Sequence, residues 1–168
     1  MRITTVAAAL LLTLGANAAG QGRATVAFFI ASDCPISNSY APEISRICGV
    51  YQARGVSCRL VYEDTRLAPA DLTTHLSEYR LLQLQATWDA SRKLADASSV
   101  TITPTAVITD DRDAIQYHGR IDNLYINIGR TRQQVTSHDV VQALDAVLAH
   151  KPVLHPRTEP LGCFIERK

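Results

Sequence analysis

Apolar positions along the first third of the chain predict a strand, a helix and a second strand. Residues 25–30 form an apolar run rich in β-branched and aromatic side chains, and residues 56–62 alternate with the period of two typical of a strand. The region between them repeats apolar side chains at the spacing of one helix face, and Gly55 ends that helix. The residues of this face are Ile44, Ile47, Cys48 and Tyr51. A strand, a helix and a strand in this order predict two parallel strands.

The rest of the chain predicts a strand with a hairpin partner, three more helices and two irregular stretches. The predicted strand covers residues 100–109, is interrupted by Pro104, and is followed after a polar turn by an antiparallel return at residues 114–118. The predicted helices cover residues 71–79, 87–97 and 137–150. Residues 120–134 are predicted to form a surface excursion, and the proline-rich tail an extended arm.

The amino terminus has the pattern of a cleaved secretory signal. Its first 18 residues carry one basic residue, an apolar centre and the small-x-small sequence at residues 16–18 that a signal peptidase accepts. We therefore expect a periplasmic or secreted bacterial protein divided into a signal (1–18), one folded domain (19–150) and a carboxyl-terminal arm (151–168). A retained membrane anchor is the alternative, although the apolar run is shorter than a membrane span.

Length and charge restrict the range of functions. A chain of 168 residues that is 46% hydrophobic suits a single domain with a real core. A formal net charge of +1 gives no indication of a nucleic-acid or anionic-membrane partner. No segment after the signal is long and apolar enough to span a membrane, and we predict neither a cofactor nor a metal site.

Four cysteines are the most informative side chains of the sequence. An even number in an exported chain favours disulfides, and the four residues allow three pairings. Cys34 follows the first predicted strand and opens the first predicted helix, where unpaired backbone N–H groups favour the thiolate. The sequence therefore predicts that Cys34 is redox-active.

Three features around Cys34 resemble the thioredoxin-like superfamily. The cysteine begins a helix, Pro42 lies eight residues later, and Thr103, Pro104 and Thr105 precede a strand. More narrowly, residues 34–43, 117–122 and 162–165 are similar to the secreted bacterial redoxin-domain proteins. This resemblance covers about residues 25–165.

The resemblance implies a fold, an activity and partners. The fold is an α/β protein of the thioredoxin-like type, a three-layer α/β/α sandwich with a central mixed β-sheet, in which the helix that begins at Cys34 is kinked at Pro42. The activity is that of a thiol-disulfide oxidoreductase in which Cys34 is the nucleophile. Thr103 and a cis-Pro104 form the edge that binds an incoming peptide. The partners are protein thiols or disulfides, with an external reductant as a further possibility.

Ser37 departs from the thioredoxin pattern, which has a second cysteine at that position. Its hydroxyl is expected either to stabilise the Cys34 thiolate or to satisfy backbone groups. Resolution of a mixed disulfide then requires Cys163 on the tail or an outside thiol. The alternative is that Cys34 and Cys163 form a permanent structural link.

Cys48 and Cys58 lie on the inward faces of the first predicted helix and the second predicted strand. We predict a structural disulfide between them, with two buried thiols as the alternative. His75 and His118 are isolated, without paired ligand spacing, and are interpreted as ordinary surface or core histidines.

Two other functions are possible on the same fold. A peroxiredoxin-like peroxidase requires a hydroxyl residue and a proline where this chain has Ala31 and Ala27. A Sco-like copper-binding protein requires a second cysteine where this chain has Asn38. A binding module that has lost catalysis is a related alternative. We rank the oxidoreductase first because all its required residues can be named.

Overall fold

The structure, a computed structural model, describes residues 24–64 and 67–166, so the predicted signal at residues 1–18 lies outside the described residues. The strands in this part of the chain are β1 (Ala24–Ile30), β2 (Val56–Tyr62), β3 (Gln85–Trp88), β4 (Ile102–Thr103), β5 (Thr105–Asp110), β6 (Ile115–Gly119), β7 (Tyr125–Asn127), β8 (Arg130–Thr131) and β9 (Cys163–Phe164). The helices are α1 (Pro35–Ser39), α2 (Ala41–Gln52), α3 (Pro69–Glu78), α4 (Lys93–Ala97) and α5 (Asp139–Leu148). None of these helices is long and apolar enough to cross a membrane.

The central sheet has five strands in the order β3-β2-β1-β5-β6. β1 pairs in parallel with β2, from Ala24 opposite Val56 to Ile30 opposite Tyr62, and β2 pairs in parallel with β3. β5 runs antiparallel to both β1 and β6. The predicted parallel unit, the predicted hairpin return and the predicted mixed sheet are therefore confirmed.

Helices cover both faces of this sheet. Alternate side chains of β1 point to opposite faces, so that Phe28 belongs to the larger core cluster and Phe29 to the smaller one. The larger cluster packs the sheet against α2 and α5, and the smaller one packs it against Ala95 of α4. The result is the three-layer α/β/α sandwich that the sequence predicts.

The predicted helix over residues 87–97 is wrong at its amino-terminal end. Thr87 and Trp88 belong to the edge strand β3, where Trp88 pairs with Tyr62 and its indole N–H donates to the Asp64 carbonyl at 2.7 Å. The helix begins later because the buried Asp89 carboxylate accepts hydrogen bonds from the first-turn N–H groups of Leu94 (2.7 Å) and Ala95 (3.1 Å). Strand pairing and a cap therefore outweigh the local helical pattern.

The stretch at residues 120–134 is only partly the predicted surface excursion. Residues 125–131 form the exposed hairpin of β7 and β8, but Ile121, Asp122 and Asn123 are buried. The buried Asn123 side chain has local hydrogen-bond partners: its amide oxygen accepts from the N–H groups of residues 136 and 137 at 2.9 and 3.1 Å. This segment therefore begins in the core after β6 and continues as an exposed hairpin before α5.

The tail is extended, as predicted, but it is also bound to the sheet. The N–H of Thr158 donates to the His118 carbonyl at 3.1 Å, and that of His118 donates to the Pro156 carbonyl at 2.9 Å. A Cβ on Gly119 would overlap Thr158, so glycine permits this close approach. β9 then pairs antiparallel with β4, which brings the tail to the end of the sheet that carries Cys34.

Cys48 and Cys58 are free thiols, which corrects the predicted structural disulfide between them. They meet across the interface of α2 and β2, as the sequence implies, but a hydrogen bond rather than a covalent bond joins them. That hydrogen bond and burial raise the pKa of the Cys48 thiol well above its ordinary value. Both side chains act as small apolar core residues.

Candidate redox site

Cys34 is held at the junction of β1 and α1. It is the amino-terminal cap residue of α1, with an extended backbone, and its N–H donates to the Ala31 carbonyl at 3.2 Å. The helical path then breaks at Tyr40, and Pro42 lies in the first turn of α2. The expected kink after Cys34 is therefore present, because a proline is compatible with a first helical turn but not with a helix interior.

A disulfide joins Cys34 to Cys163, 129 residues further along the chain. Their Cα atoms lie 6.0 Å apart, and the pairing of Cys163 with Thr103 in β9 and β4 fixes the tail in position. A Cβ on Gly162 would overlap the Thr103 carbonyl, so only glycine lets the tail pass this close. This is the one disulfide that the structure contains between described cysteines.

The peptide bond between Thr103 and Pro104 is cis, as the resemblance implies. The carbonyl oxygen of Thr103 lies 3.4 Å from the Sγ of Cys34. A disulfide sulfur has no proton to donate, so this is a contact in the oxidised protein. In the reduced protein the same geometry allows the Cys34 thiol to donate a hydrogen bond to that oxygen.

Ser37 is buried directly below the Cys34 loop and has a backbone partner. Its Oγ accepts from the N–H of Ala31 at 3.4 Å. Within the described residues no hydrogen bond joins Ser37 to Cys34, so the first of the two predicted roles of its hydroxyl has no contact in the oxidised structure. The serine holds the loop that presents the cysteine.

A chain of hydrogen bonds supports the same loop from α3. His75 contacts the Tyr62 hydroxyl and the Asn38 amide oxygen, each at 2.9 Å, and the amide nitrogen of Asn38 donates to the Ser32 carbonyl at 2.9 Å. The Asp64 carboxylate accepts from the Ser32 N–H at 2.9 Å and from its hydroxyl at 2.8 Å. His75 is thus a satisfied core histidine, as the sequence suggests.

A second support lies on the other side of the kink. The Tyr40 hydroxyl donates to the buried Asp122 carboxylate at 2.6 Å, and the N–H of Leu124 donates to the same oxygen at 2.8 Å. Arg120 pairs with the buried Asp139 at 2.9 Å rather than with Asp122. Arg120 and Asp122 thus anchor the loop through different partners.

A cavity of about 420 Å³ opens beside the disulfide, and we call it the acidic cavity. Its lining includes Asp33, Glu63, Asp64, Asp71, Thr103 and Cys163. Cys34 does not reach it, since this residue is 0% exposed, whereas Cys163 is half-buried. The two residues of the bond therefore differ in their exposure to solvent.

Glu63 is the residue of this cavity that sequence reasoning did not single out. The side chain is 4% exposed, and neither carboxylate oxygen has a hydrogen-bond partner. Burial, followed by the charge of Asp89, raises the pKa of Glu63 to about 8, although Arg92 opposes the shift. The sequence could have indicated Glu63, because it follows β2 just as Cys34 follows β1, and parallel strands end at the same edge of a sheet.

One group in the described part of the chain has the residue types of a metal site. Ligand atoms of Glu43, Asp122 and His138 lie within 4.8 Å of one another. However, Arg46 binds both oxygens of Glu43, at 2.6 and 2.7 Å, and Tyr40 binds Asp122. Glu43 and Asp122 are thus engaged in other bonds, and none of the three residues lines the acidic cavity.

The sheet order, the helices on both faces and the cis-proline opposite Cys34 define the thioredoxin-like fold. No protein-family profile matches the chain, and no curated protein sequence matches it. Solved structures do match. An uncharacterized conserved protein from Geobacillus kaustophilus has a TM-score of 0.76 and 26% identity, over 88% of this chain and 78% of the other.

Two further structures extend this comparison. A hypothetical protein from Sinorhizobium meliloti has a TM-score of 0.75 and 24% identity, over 88% of this chain and 81% of its own. A secreted Mycobacterium tuberculosis disulfide oxidoreductase has a TM-score of 0.53 and 18% identity, over 77% and 83% of the two chains. At these identities the similarity establishes a shared fold, and this is the thioredoxin-like fold that the sequence resemblance implies.

Proposed function

We propose that this protein is an exported thiol-disulfide oxidoreductase whose redox pair is Cys34 and Cys163. The observation that carries the proposal is the disulfide between them, beside the cis-Pro104 of a thioredoxin-like fold. Ser37 cannot resolve a mixed disulfide, so the tail cysteine takes the part of the missing second cysteine. Thr103 and Pro104 are the residues that would receive a polypeptide partner, and in the oxidised protein β9 of the tail already pairs with Thr103 at that edge.

The contrast between the two cysteine pairs supports this assignment. Cys48 and Cys58 are buried in the core as thiols, far from any cavity lining among the described residues, whereas Cys163 lines the acidic cavity. A thiol must reach a sulfur to exchange with it, so only the Cys34–Cys163 bond is in a position to react. A peroxiredoxin-like peroxidase requires a hydroxyl residue at position 31, whereas the residue that lines the cavity there is Ala31. This does not favour the peroxidase.

The export predicted from the sequence supports the same proposed function. The signal pattern at residues 1–18 would deliver the chain to an oxidising compartment, where a disulfide persists between reaction cycles. The partners in this proposal are protein thiols or disulfides, with an external thiol returning the pair to its starting state.

The test is the oxidation of a dithiol peptide by the oxidised protein. Cys34→Ser and Cys163→Ser should each abolish formation of the peptide disulfide, because either change removes the bond that accepts the two electrons. Cys48→Ala is the matched control, since it removes a cysteine outside the pair and should retain turnover. The proposal fails if the protein oxidises no dithiol, or if a variant without the pair does so at the same rate.

A further inference from the structure

The two cysteines of the Cys34–Cys163 bond are unequally exposed. Cys34 is 0% exposed, below β4 and the loop that follows β1. Cys163 is half-buried and lines the acidic cavity of about 420 Å³. Because exchange requires direct contact of a thiolate with one sulfur, the oxidised protein presents Cys163 rather than Cys34 to an incoming thiol.

The charged residues of the cavity favour a positively charged substrate. Asp33 and Asp71 are exposed at its edge, while Asp64 is half-buried and accepts from the neutral N–H and hydroxyl groups of Ser32. No lysine, arginine or histidine is among the described residues that line it. The electrostatic potential in the cavity is therefore negative, and a negative cleft concentrates cations.

Glu63 indicates that the cavity is a ligand site rather than an ordinary acidic surface. Glu63 lines the cavity, and its two buried oxygens have no hydrogen-bond partner, which is an unfavourable arrangement that a bound donor would relieve. Its charged neighbours are Asp64, Asp89 and Asp96, opposed by Arg92. A metal ion does not suit the site, because no three carboxylates of the described cavity converge within 4.8 Å.

We propose that the acidic cavity is the site where thiol substrates enter, that they attack the sulfur of Cys163, and that the preferred substrate carries a positive charge beside its thiol. A lysine, an arginine or an amino group near the reacting cysteine would occupy the cavity and donate to Glu63. This inference rests on the proposed function and names the substrate class and the reacting sulfur of the same site.

The exchange balances with no further reactant. The substrate thiolate forms a bond to Cys163 Sγ, the Cys34–Cys163 bond breaks, and Cys34 leaves as a thiolate. The proton that the substrate thiol released is taken up at Cys34, whose thiol then donates to the Thr103 carbonyl 3.4 Å away. A second substrate thiolate attacks the substrate sulfur of the mixed disulfide, releases Cys163 and leaves the substrate oxidised by two electrons.

The first experiment locates the adduct on the wild-type protein. Oxidised protein is mixed with cysteamine and quenched with excess N-ethylmaleimide, and the cysteine-containing peptides are mapped by mass spectrometry. We expect cysteamine on Cys163 and maleimide on Cys34. Cysteamine on Cys34 with maleimide on Cys163 would overturn the inference while leaving the proposed function in place.

The second experiment measures charge selectivity. Rates of reduction of the oxidised protein by cysteamine and by 3-mercaptopropionate are compared per thiolate present, at low ionic strength. We expect cysteamine to react about tenfold faster, and the ratio to fall as salt screens the cavity. Equal rates, or a faster anionic thiol, would contradict the preference.

Two variants connect that selectivity to the cavity. Asp33→Asn removes one exposed charge at its edge and should lower the rate ratio about twofold, as expected for a single screened charge. Asp111→Asn removes an exposed charge from the turn between β5 and β6 and should leave the ratio unchanged. An equal effect of both changes would overturn the assignment to the cavity. Failure of both thiols to open the bond would instead refute the proposed function itself.

Discussion

Glu63 is the residue at which the site departs furthest from an ordinary protein interior. Its carboxyl group is buried, lacks hydrogen-bond partners and lies in the cavity that also contains Cys163. Burial raises the pKa of Glu63 from its ordinary value of 4.5 to about 8. The folded protein therefore retains this proton at pH values where the unfolded chain has released it, so folding is favoured at low pH and disfavoured as pH rises through that window.

Replacing this group should remove a pH dependence of stability. Relative to Glu63→Gln, the wild-type protein should lose on the order of 4 kcal/mol of unfolding free energy between pH 5 and pH 9, because of these two side chains only the carboxyl group titrates. Urea unfolding of both oxidised proteins across this range measures the difference. Parallel pH profiles would show that Glu63 ionises as it does in water.

Gly162 is a second residue whose role depends on a single contact. A Cβ at this position would overlap the Thr103 carbonyl, so Gly162→Ala should push the tail away from β4. We expect the equilibrium constant for closing the Cys34–Cys163 bond to fall about tenfold, equivalent to about 1.4 kcal/mol. Gly49→Ala is the control, since a Cβ there meets nothing within 4 Å. Unchanged closure in a glutathione buffer would contradict this reading.

At the scale of elements, the break between α1 and α2 directs Cys34 toward the cis-proline. Tyr40 lies at this break and joins the two helices to the segment that follows β6, through its bond to Asp122. The Asp122 carboxylate is 5% exposed, so loss of its partner leaves a buried acceptor less well satisfied. The break is thus supported by a contact distant in sequence.

Tyr40→Phe should therefore destabilise the folded protein by about 1–3 kcal/mol, the usual effect of removing one partner of a buried hydrogen bond. The decrease should be visible as a lower midpoint in chemical unfolding. Tyr79→Phe is the matched control, because its half-buried ring stacks on His75 at 4.4 Å and its hydroxyl makes no such bond among the described residues. Equal effects of the two changes would rule out a special role for the Asp122 contact.

Local patterns predicted the elements that local forces determine. The strand before Cys34, the kink at Pro42 and the hairpin after Pro104 each follow from apolar spacing or from proline geometry. The strand at residues 87–88 was predicted as helix, because its pairing with Tyr62 is a tertiary contact that no local pattern contains. The prediction of a Cys48–Cys58 disulfide was wrong for a related reason. The inward faces of a helix and an adjacent strand bring the two sulfurs near each other, but packing determines whether they bond.

At the scale of the whole molecule, one bond connects the beginning of the fold to its end. The Cys34–Cys163 disulfide spans 129 residues, and β9 holds its second sulfur against β4. The five-stranded sheet includes neither β4 nor β9, and the thiols of Cys48 and Cys58 are buried away from the bond in the interface of α2 and β2. The structure therefore suits a molecule that opens and closes the bond at its edge while the core stays folded.

The most direct test is a redox titration of the folded protein in glutathione buffers, with alkylation and peptide mapping of all four cysteines at each potential. The account predicts that Cys34 and Cys163 change together and reversibly between disulfide and thiol, while circular dichroism stays native and Cys48 and Cys58 remain unlabelled until urea is added. A Cys34–Cys163 bond that opens only when the protein unfolds would contradict the account.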